Sequence, residues 1–148
     1  MKAWIQRVTE ASVAINGESV SRIEKGYLIL LGVTHSDTEK TADEMADRIC
    51  KLRICEDENG KTNKSIVDTG GSVIVVSQFT LYADTSHGRR PGFSNAARPE
   101  LAEPLYGRVV EKIRGILGKG RVGTGRFGAE MKVHLVNDGP FSVELVVG

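Results

Sequence analysis

The sequence predicts an α+β fold: mostly antiparallel β-sheet with two main helices. Strand-like runs dominate, two long stretches carry apolar residues at helical spacing, and strands lie between those stretches. The 148 residues, 40% of them hydrophobic, suit one domain over residues 1–148, with a core that needs no staples.

Trp4 to Ile15 is β-like, and its end alternates: Ala11, Val13 and Ile15 share one face, Ser12 and Ala14 the other. Asn16-Gly17 is a strong hairpin signal, so Glu18 to Ile23 returns as a second strand. Tyr27 to Val33 is apolar on both faces and predicts a buried central strand. Ser36-Asp37-Thr38-Glu39 has the capping-box pattern. Behind it Ala42, Met45, Ala46 and Ile49 form one apolar stripe, which predicts a helix from Glu39 to about Leu52. Asp57-Glu58-Asn59-Gly60 is a turn, and Gly70-Gly71 breaks the chain. Ser72 to Leu81 is β-branched and nearly continuous, so it reads as a central strand.

A polar loop, Tyr82 to Arg98, follows, and loops of that length tend to carry function. Leu101, Leu105, Val109, Ile113 and Leu117 then predict a helix over Pro99–Leu117, ended by Gly118 and Gly120. Pro104 either kinks that helix or moves its start to near Glu103. Met131 to Val136 and Phe141 to Val147 read as two strands joined through Asn137-Asp138-Gly139-Pro140. That junction is either a plain Asp-Gly hairpin turn or a cis Gly139–Pro140 bond.

A net charge of +1 excludes a highly basic nucleic-acid coat protein and an acidic tail protein. Aromatic content of 5% is low for a base-stacking platform. The charge is unevenly placed, however. Ser36–Gly60 holds eight acids and four bases, whereas Ser86–Lys132 holds ten bases and four acids. The second stretch is either a lopsided solvated surface or a face that suits a phosphate-bearing partner. Cys50 and Cys55 lack C-x-x-C spacing and a second pair, so they are expected as reduced, apolar thiols. Charges interrupt the N-terminus too soon for a secretory signal, and the longest apolar run, Tyr27–Leu31, is far short of a membrane span. A soluble, cytoplasmic protein without membrane contact is expected.

Standard catalytic patterns are missing. His35, His87 and His134 have no metal-ligand spacing, so no metal is expected, and no Walker or dinucleotide fingerprint calls for a cofactor. Ser77 lacks a nucleophile elbow, and a triad of Ser77, His87 and Asp84 has no support in spacing. Two segments stand out. Ser77-Gln78-Phe79-Thr80-Leu81 puts polar side chains on a strand otherwise made for a core, where unpaired polar groups are costly unless the strand's end is solvated. Asn137-Asp138-Gly139-Pro140 is the other.

Those two segments, with Gly125-Arg126-Phe127-Gly128-Ala129-Glu130-Met131 between them, resemble the D-aminoacyl-tRNA deacylase family, also called D-tyrosyl-tRNA(Tyr) deacylases. Ile5-Gln6-Arg7-Val8 and Leu31-Gly32-Val33 agree, and the resemblance covers essentially the whole chain. One departure is Ser142, where the family commonly has Thr. The resemblance implies a barrel-like sheet and a homodimer acting on the aminoacyl-tRNA 3′ end. It implies hydrolysis of the ester of a D-amino acid, or of glycine mischarged on tRNA(Ala). It also implies a cis Gly139–Pro140 that reaches from one subunit into the pocket of the other.

On that reading Ser77, Gln78, Phe79 and Thr80 form the catalytic segment, with backbone N–H groups around Gln78 and Phe79 facing the oxyanion. Gly139, Pro140, Arg7 and Asn137 form the substrate-binding set. The Gly139 carbonyl is expected to face the substrate's α-amino group and Cα, so that an L side chain collides with it. Arg7 either braces the dipeptide through its planar fork or is a surface strand residue. Thr80 as nucleophile lacks a neighbouring base in sequence. A non-catalytic tRNA- or ribosome-binding factor and a serine hydrolase built on Ser77 are the alternatives.

Overall fold

Asn16 and Gly17 take positive φ values of 51° and 81° and turn β1 (Lys2–Ile15) back into β2 (Glu18–Ile23). In this computed structural model, which describes residues 1–148, the chain continues through β3 (Gly26–Gly32), α1 (Glu39–Lys51), β4 (Cys55–Glu56), β5 (Thr62–Lys64), α2 (Ile66–Thr69) and β6 (Ser72–Ser77). It ends with α3 (Pro99–Leu117), β7 (Val122–Thr124) and β8 (Lys132–Val146). No helix is long and apolar enough to cross a membrane.

β1 is the hub of the sheet. One edge pairs antiparallel with β3 through Lys2–Val8 and with β2 through Ala11–Ile15. The other edge carries β8, also antiparallel. β6 adds to β3, and β7 to β6, both parallel. Parallel neighbours need a long crossover. The segment holding α1, the β4–β5 hairpin and α2 supplies it between β3 and β6, and α3 lies between β6 and β7. β7 closes toward β2, since a Cβ on Gly123 would lie 2.9 Å from Ser21 Cβ. The result is α+β with a nearly closed, barrel-like sheet and mostly antiparallel pairing. Gly26 is required where β3 meets β6, because a Cβ there would lie 1.6 Å from the Ser72 carbonyl oxygen.

Alternation divides the apolar residues into two cores. Ala3, Ile5, Ile29 and Val75 face Met45 and Ile49 of α1 and Ile113 of α3. Val8, Val13, Leu28, Ile74 and Val76 form a second cluster on the other face. Arg108 of α3 grips Asp43 of α1 with a two-pronged fork, Nε to Oδ1 at 2.8 Å and Nη2 to Oδ2 at 2.9 Å. At the start of the chain, the Met1 ammonium donates to buried Asp37 Oδ1 at 2.6 Å.

Four expectations need correction. The cap of α1 is Thr38, whose hydroxyl accepts from the Thr41 N–H, and not Ser36 with Glu39. Asp37, inside the expected box, is already engaged with Met1 and the Thr34 N–H. The central strand expected to reach Leu81 stops at Ser77, and Phe79–Tyr82 is a 3-10 turn. Pro104 does not move the start of α3 to near Glu103; the helix begins at Pro99 and carries Pro104 inside it. Pro104 and Glu100, the residue whose carbonyl it cannot donate to, are both exposed. Finally, β8 is one strand and not a hairpin, because its two halves both run antiparallel to β1. The short elements β4, β5, α2 and β7 have no apolar periodicity and escape sequence reading, although Ser65 and Asp68 form a reciprocal cap at α2.

Candidate active site

β6 ends on Ser77, and Gln78 keeps one last ladder bond, its N–H donating to the Leu31 carbonyl at 2.8 Å. Gln78 then turns out of the sheet at φ −144° and ψ 87°, and Phe79 begins the 3-10 turn. Ser77, Gln78 and Phe79 thereby form one wall of a pocket of about 590 Å³. Phe93 and Arg98 line it from the loop before α3, and Phe127 and Met131 line it from the segment before β8. Twelve of the 17 lining residues are hydrophobic, and Arg98 is the only charged one. Such a cavity buries an apolar group and leaves few polar contacts to orient it.

The far wall is pinned to the sheet. The Ala97 N–H donates to the Val33 carbonyl at 2.9 Å, Thr34 Oγ1 donates to the Asn95 carbonyl at 2.6 Å, and His35 Nε2 donates to the Ser94 carbonyl at 2.6 Å. Phe79 and Phe93 meet edge to face with ring centroids 5.1 Å apart, and both remain substantially exposed at the rim. Behind Phe127 stands Tyr106, its hydroxyl donating to the Val75 carbonyl at 2.7 Å and its pKa pushed up to about 12 by burial.

Thr80 is exposed, outside the lining, and its hydroxyl accepts from Gln78 Nε2. No imidazole or carboxylate bonds to Ser77 or Thr80. A triad of Ser77, His87 and Asp84 does not assemble either. Asp84, Ser86 and His87 bond to one another in an exposed loop and leave Ser77 out. His134 is exposed and lies 3.5 Å from Glu10. Of the backbone donors expected to face an oxyanion, the Gln78 N–H is corrected by the structure, because the Leu31 carbonyl already holds it.

The second set of residues gathers elsewhere. Gln6 pairs with Ser142 and Val8 with Asn137, so β8 carries Asp138 to Phe141 opposite the single residue Arg7. The four residues loop out of the ladder, with the Gly139–Pro140 bond cis and both residues exposed. Arg7 is only 7% exposed. Its Nε donates to the Asp138 carbonyl at 3.1 Å, its Nη1 donates to the Ile54 carbonyl at 2.7 Å, and its guanidinium lies 4.8 Å from the Phe141 ring centroid. Asn137 Oδ1 accepts from Gln6 Nε2 at 3.4 Å. The structure therefore favours the bracing alternative for Arg7. None of Arg7, Asn137, Gly139 and Pro140 lines the Ser77–Phe79 pocket of its own chain.

Two separated clusters, one holding Ser77-Gln78-Phe79 and one holding Gly139–Pro140, invite comparison with known proteins. The family model described as D-Tyr-tRNA(Tyr) deacylase matches residues 4–146. This chain belongs to that deacylase family. Membership makes it a hydrolase. A D-aminoacyl-tRNA deacylase of Marinobacter nauticus is 55% identical over all of this chain and 95% of its own length. One of Clostridioides difficile is 53% identical over 98% of this chain and 96% of its own. Among solved structures, a c-Myc DNA unwinding element binding protein superposes with a TM-score of 0.94 at 42% identity, covering 99% of this chain and 98% of that one. A probable eukaryotic D-amino acid tRNA deacylase, at TM-score 0.84 and 16% identity over 97% of both chains, shares the fold.

Within this deacylase-family chain, sequence reasoning does not single out Phe93 and Arg98 as pocket residues. They lie apart from the Ser77–Thr80 segment in sequence, and the bonds to Val33, Thr34 and His35, with the Phe79–Phe93 contact, bring their loop to the pocket. Phe127 and Met131 had one signal, the family-like run Gly125–Met131.

Proposed function

We propose that this chain hydrolyses the ester joining a D-amino acid to the 3′-terminal ribose of tRNA, and that it cleaves the glycyl ester on tRNA(Ala) as well. The observation that carries the reading is the pocket walled by Ser77, Gln78 and Phe79 in a chain that matches the deacylase family from residue 4 to 146. An aminoacyl ester is already activated, so positioning and a donor for the developing oxyanion are sufficient machinery. With the Gln78 N–H engaged, the Phe79 N–H, first in the 3-10 turn, is the donor left for that oxygen. Water adds to the ester carbonyl carbon, assisted by the neighbouring ribose hydroxyl. The bond from that carbon to the 3′ oxygen then breaks, the 3′ oxygen takes a proton, and a free amino acid and tRNA leave. Thr80, without a base beside it, contributes the polar edge of the site and not the nucleophile.

The same reading makes the protein a homodimer. Gly139 and Pro140 are exposed on their own chain and absent from its pocket, which suits entry into the pocket of a second copy. There the Gly139 carbonyl faces the substrate's α-amino group and Cα. An L side chain collides with it, a D side chain points away, and glycine has nothing to reject.

The test is incubation of the purified protein with D-tyrosyl-, L-tyrosyl- and glycyl-tRNA, with sedimentation of the same sample. Release from the D and glycyl substrates only, by a dimer, is expected. Release from both D and L, blocked by a serine-reactive phosphonate, would instead support a hydrolase built on Ser77. No release at all would support a non-catalytic nucleic-acid-binding factor, the reading suggested by the printed name of the 42% identical relative.

A further inference from the structure

Arg98 is the one formal charge in a pocket that is otherwise apolar or neutral, and no residue of this chain compensates it. The other arginines of the basic stretch that lie on or beside α3 are largely engaged. Arg108 holds Asp43 and Glu39, and Arg114 holds Glu111. Arg121 donates to the carbonyls of Gly71, Leu117 and Ile66, so it is structural and not a free cation. The Arg98 side chain makes no ion pair and stays exposed.

The residue is nonetheless fixed in place. The preceding Ala97 N–H is tied to Val33, and the Arg98 carbonyl accepts from the N–H groups of Leu101 and Ala102 at 3.0 and 2.9 Å. Arg98 thus stands on a rigid shoulder of the pocket that Ser77–Phe79 also line, with its planar donor fork free.

The substrate in the reading above, on which this inference rests, supplies the missing counter-charge. Apart from an acidic side chain, its amino acid carries no anion, because the α-carboxyl is esterified, and its α-amino group is neutral or cationic. The nearest anion to the ester is the phosphodiester that joins the terminal nucleotide to the one before it. We propose that Arg98 receives this phosphodiester and so sets how deeply the 3′ end enters the pocket. An arginine fork suits two phosphate oxygens, and a guanidinium at the rim cannot be satisfied by an apolar side chain. Arg98 is therefore a binding and positioning residue, remote from the bond that breaks.

The test compares two D-tyrosyl esters, one on intact tRNA and one on adenosine, which has no phosphate. Wild type, Arg98→Ala and Arg98→Lys are assayed for kcat and KM over a range of salt concentrations. In Arg98→Ala the ratio of kcat/KM on tRNA to that on the nucleoside should fall about tenfold, the size of one charge-assisted contact, mainly through KM. The slope of log(kcat/KM) against log[salt] on tRNA should become shallower by about 0.7, one single-strand phosphate contact. Arg98→Lys should recover part of the affinity and the slope. An equal loss on both esters, or an unchanged salt slope, would overturn the proposal. If wild type cleaved neither ester, the substrate reading would fall first and the phosphate contact with it. Wild-type turnover of both with an unaltered ratio in Arg98→Ala would overturn the phosphate contact alone.

Discussion

Arg7 and Asp138 are joined twice: Arg7 Nε donates to the Asp138 carbonyl at 3.1 Å and lies 3.6 Å from the Asp138 carboxylate Oδ2. With Nη1 on the Ile54 carbonyl, one buried guanidinium ties the looped-out part of β8 to the segment after α1. Arg7→Lys keeps the charge but loses the fork. It should cost about 2 kcal/mol in urea unfolding, because a buried carbonyl loses its donor. It should also lower the preference for D over L esters. Unaltered selectivity in a folded Arg7→Lys protein would show that Arg7 serves the fold alone.

Gly139 sits at φ +128°, where side chains are rarely tolerated, and a Cβ there would lie 3.1 Å from the Phe141 nitrogen and 3.2 Å from Arg7 Nη2. Gly139→Ala should therefore cost roughly 1–3 kcal/mol of backbone strain. Its circular dichroism should stay native while kcat/KM on a D-aminoacyl ester falls at least about tenfold, since a displacement near 1 Å is enough to disrupt positioning. Full activity would mean that the Gly139 carbonyl does not gauge the substrate.

Thr80 separates two chemistries. Thr80→Ala should retain turnover within about tenfold of wild type, because a hydroxyl without a base contributes polarity and not nucleophilic attack. Abolished hydrolysis in Thr80→Ala, with tRNA still bound and the thermal midpoint unchanged, would make the side chain the nucleophile.

Acid should weaken the fold. The Arg108 fork holds the Asp43 carboxyl below its usual range, and backbone N–H donors from Lys61 and Asn59 do the same for Asp57. At Asp68 the donors are the Ser65 backbone and side chain. In each case the folded state binds its proton less readily than the unfolded chain. The stabilisation is present above the unfolded carboxylate value of about 4 and is lost as pH falls through the lower folded values. The thermal midpoint should therefore drop between about pH 5 and pH 3. Asp68 is exposed and Asp43 and Asp57 are half-buried, all within reach of solvent ions, so high salt should shrink the effect. Asp43→Asn should flatten its share of the profile, and an identical profile in that variant would remove the Asp43–Arg108 pair from the account.

What the sequence determined by itself is local. Asn16-Gly17 dictates a hairpin because both positions tolerate positive φ, and the spacing of Ala42, Met45, Ala46 and Ile49 dictates α1 because a helix brings them to one face. The candidate segments at Ser77–Thr80 and Asn137–Pro140 are legible through their resemblance to the deacylase family. Tertiary structure decided the rest, because register depends on a neighbour that local pattern does not name. Asn137-Asp138-Gly139-Pro140 has every mark of a hairpin turn, yet β1 is long enough to pair with both halves of β8, so the four residues from Asp138 to Phe141 loop outward instead. That choice buries Arg7 beneath them. The halt of β6 at Ser77, the loss of the Gln78 N–H to Leu31 and the arrival of Arg98 across the pocket follow in the same way, each set by which strand or loop lies alongside.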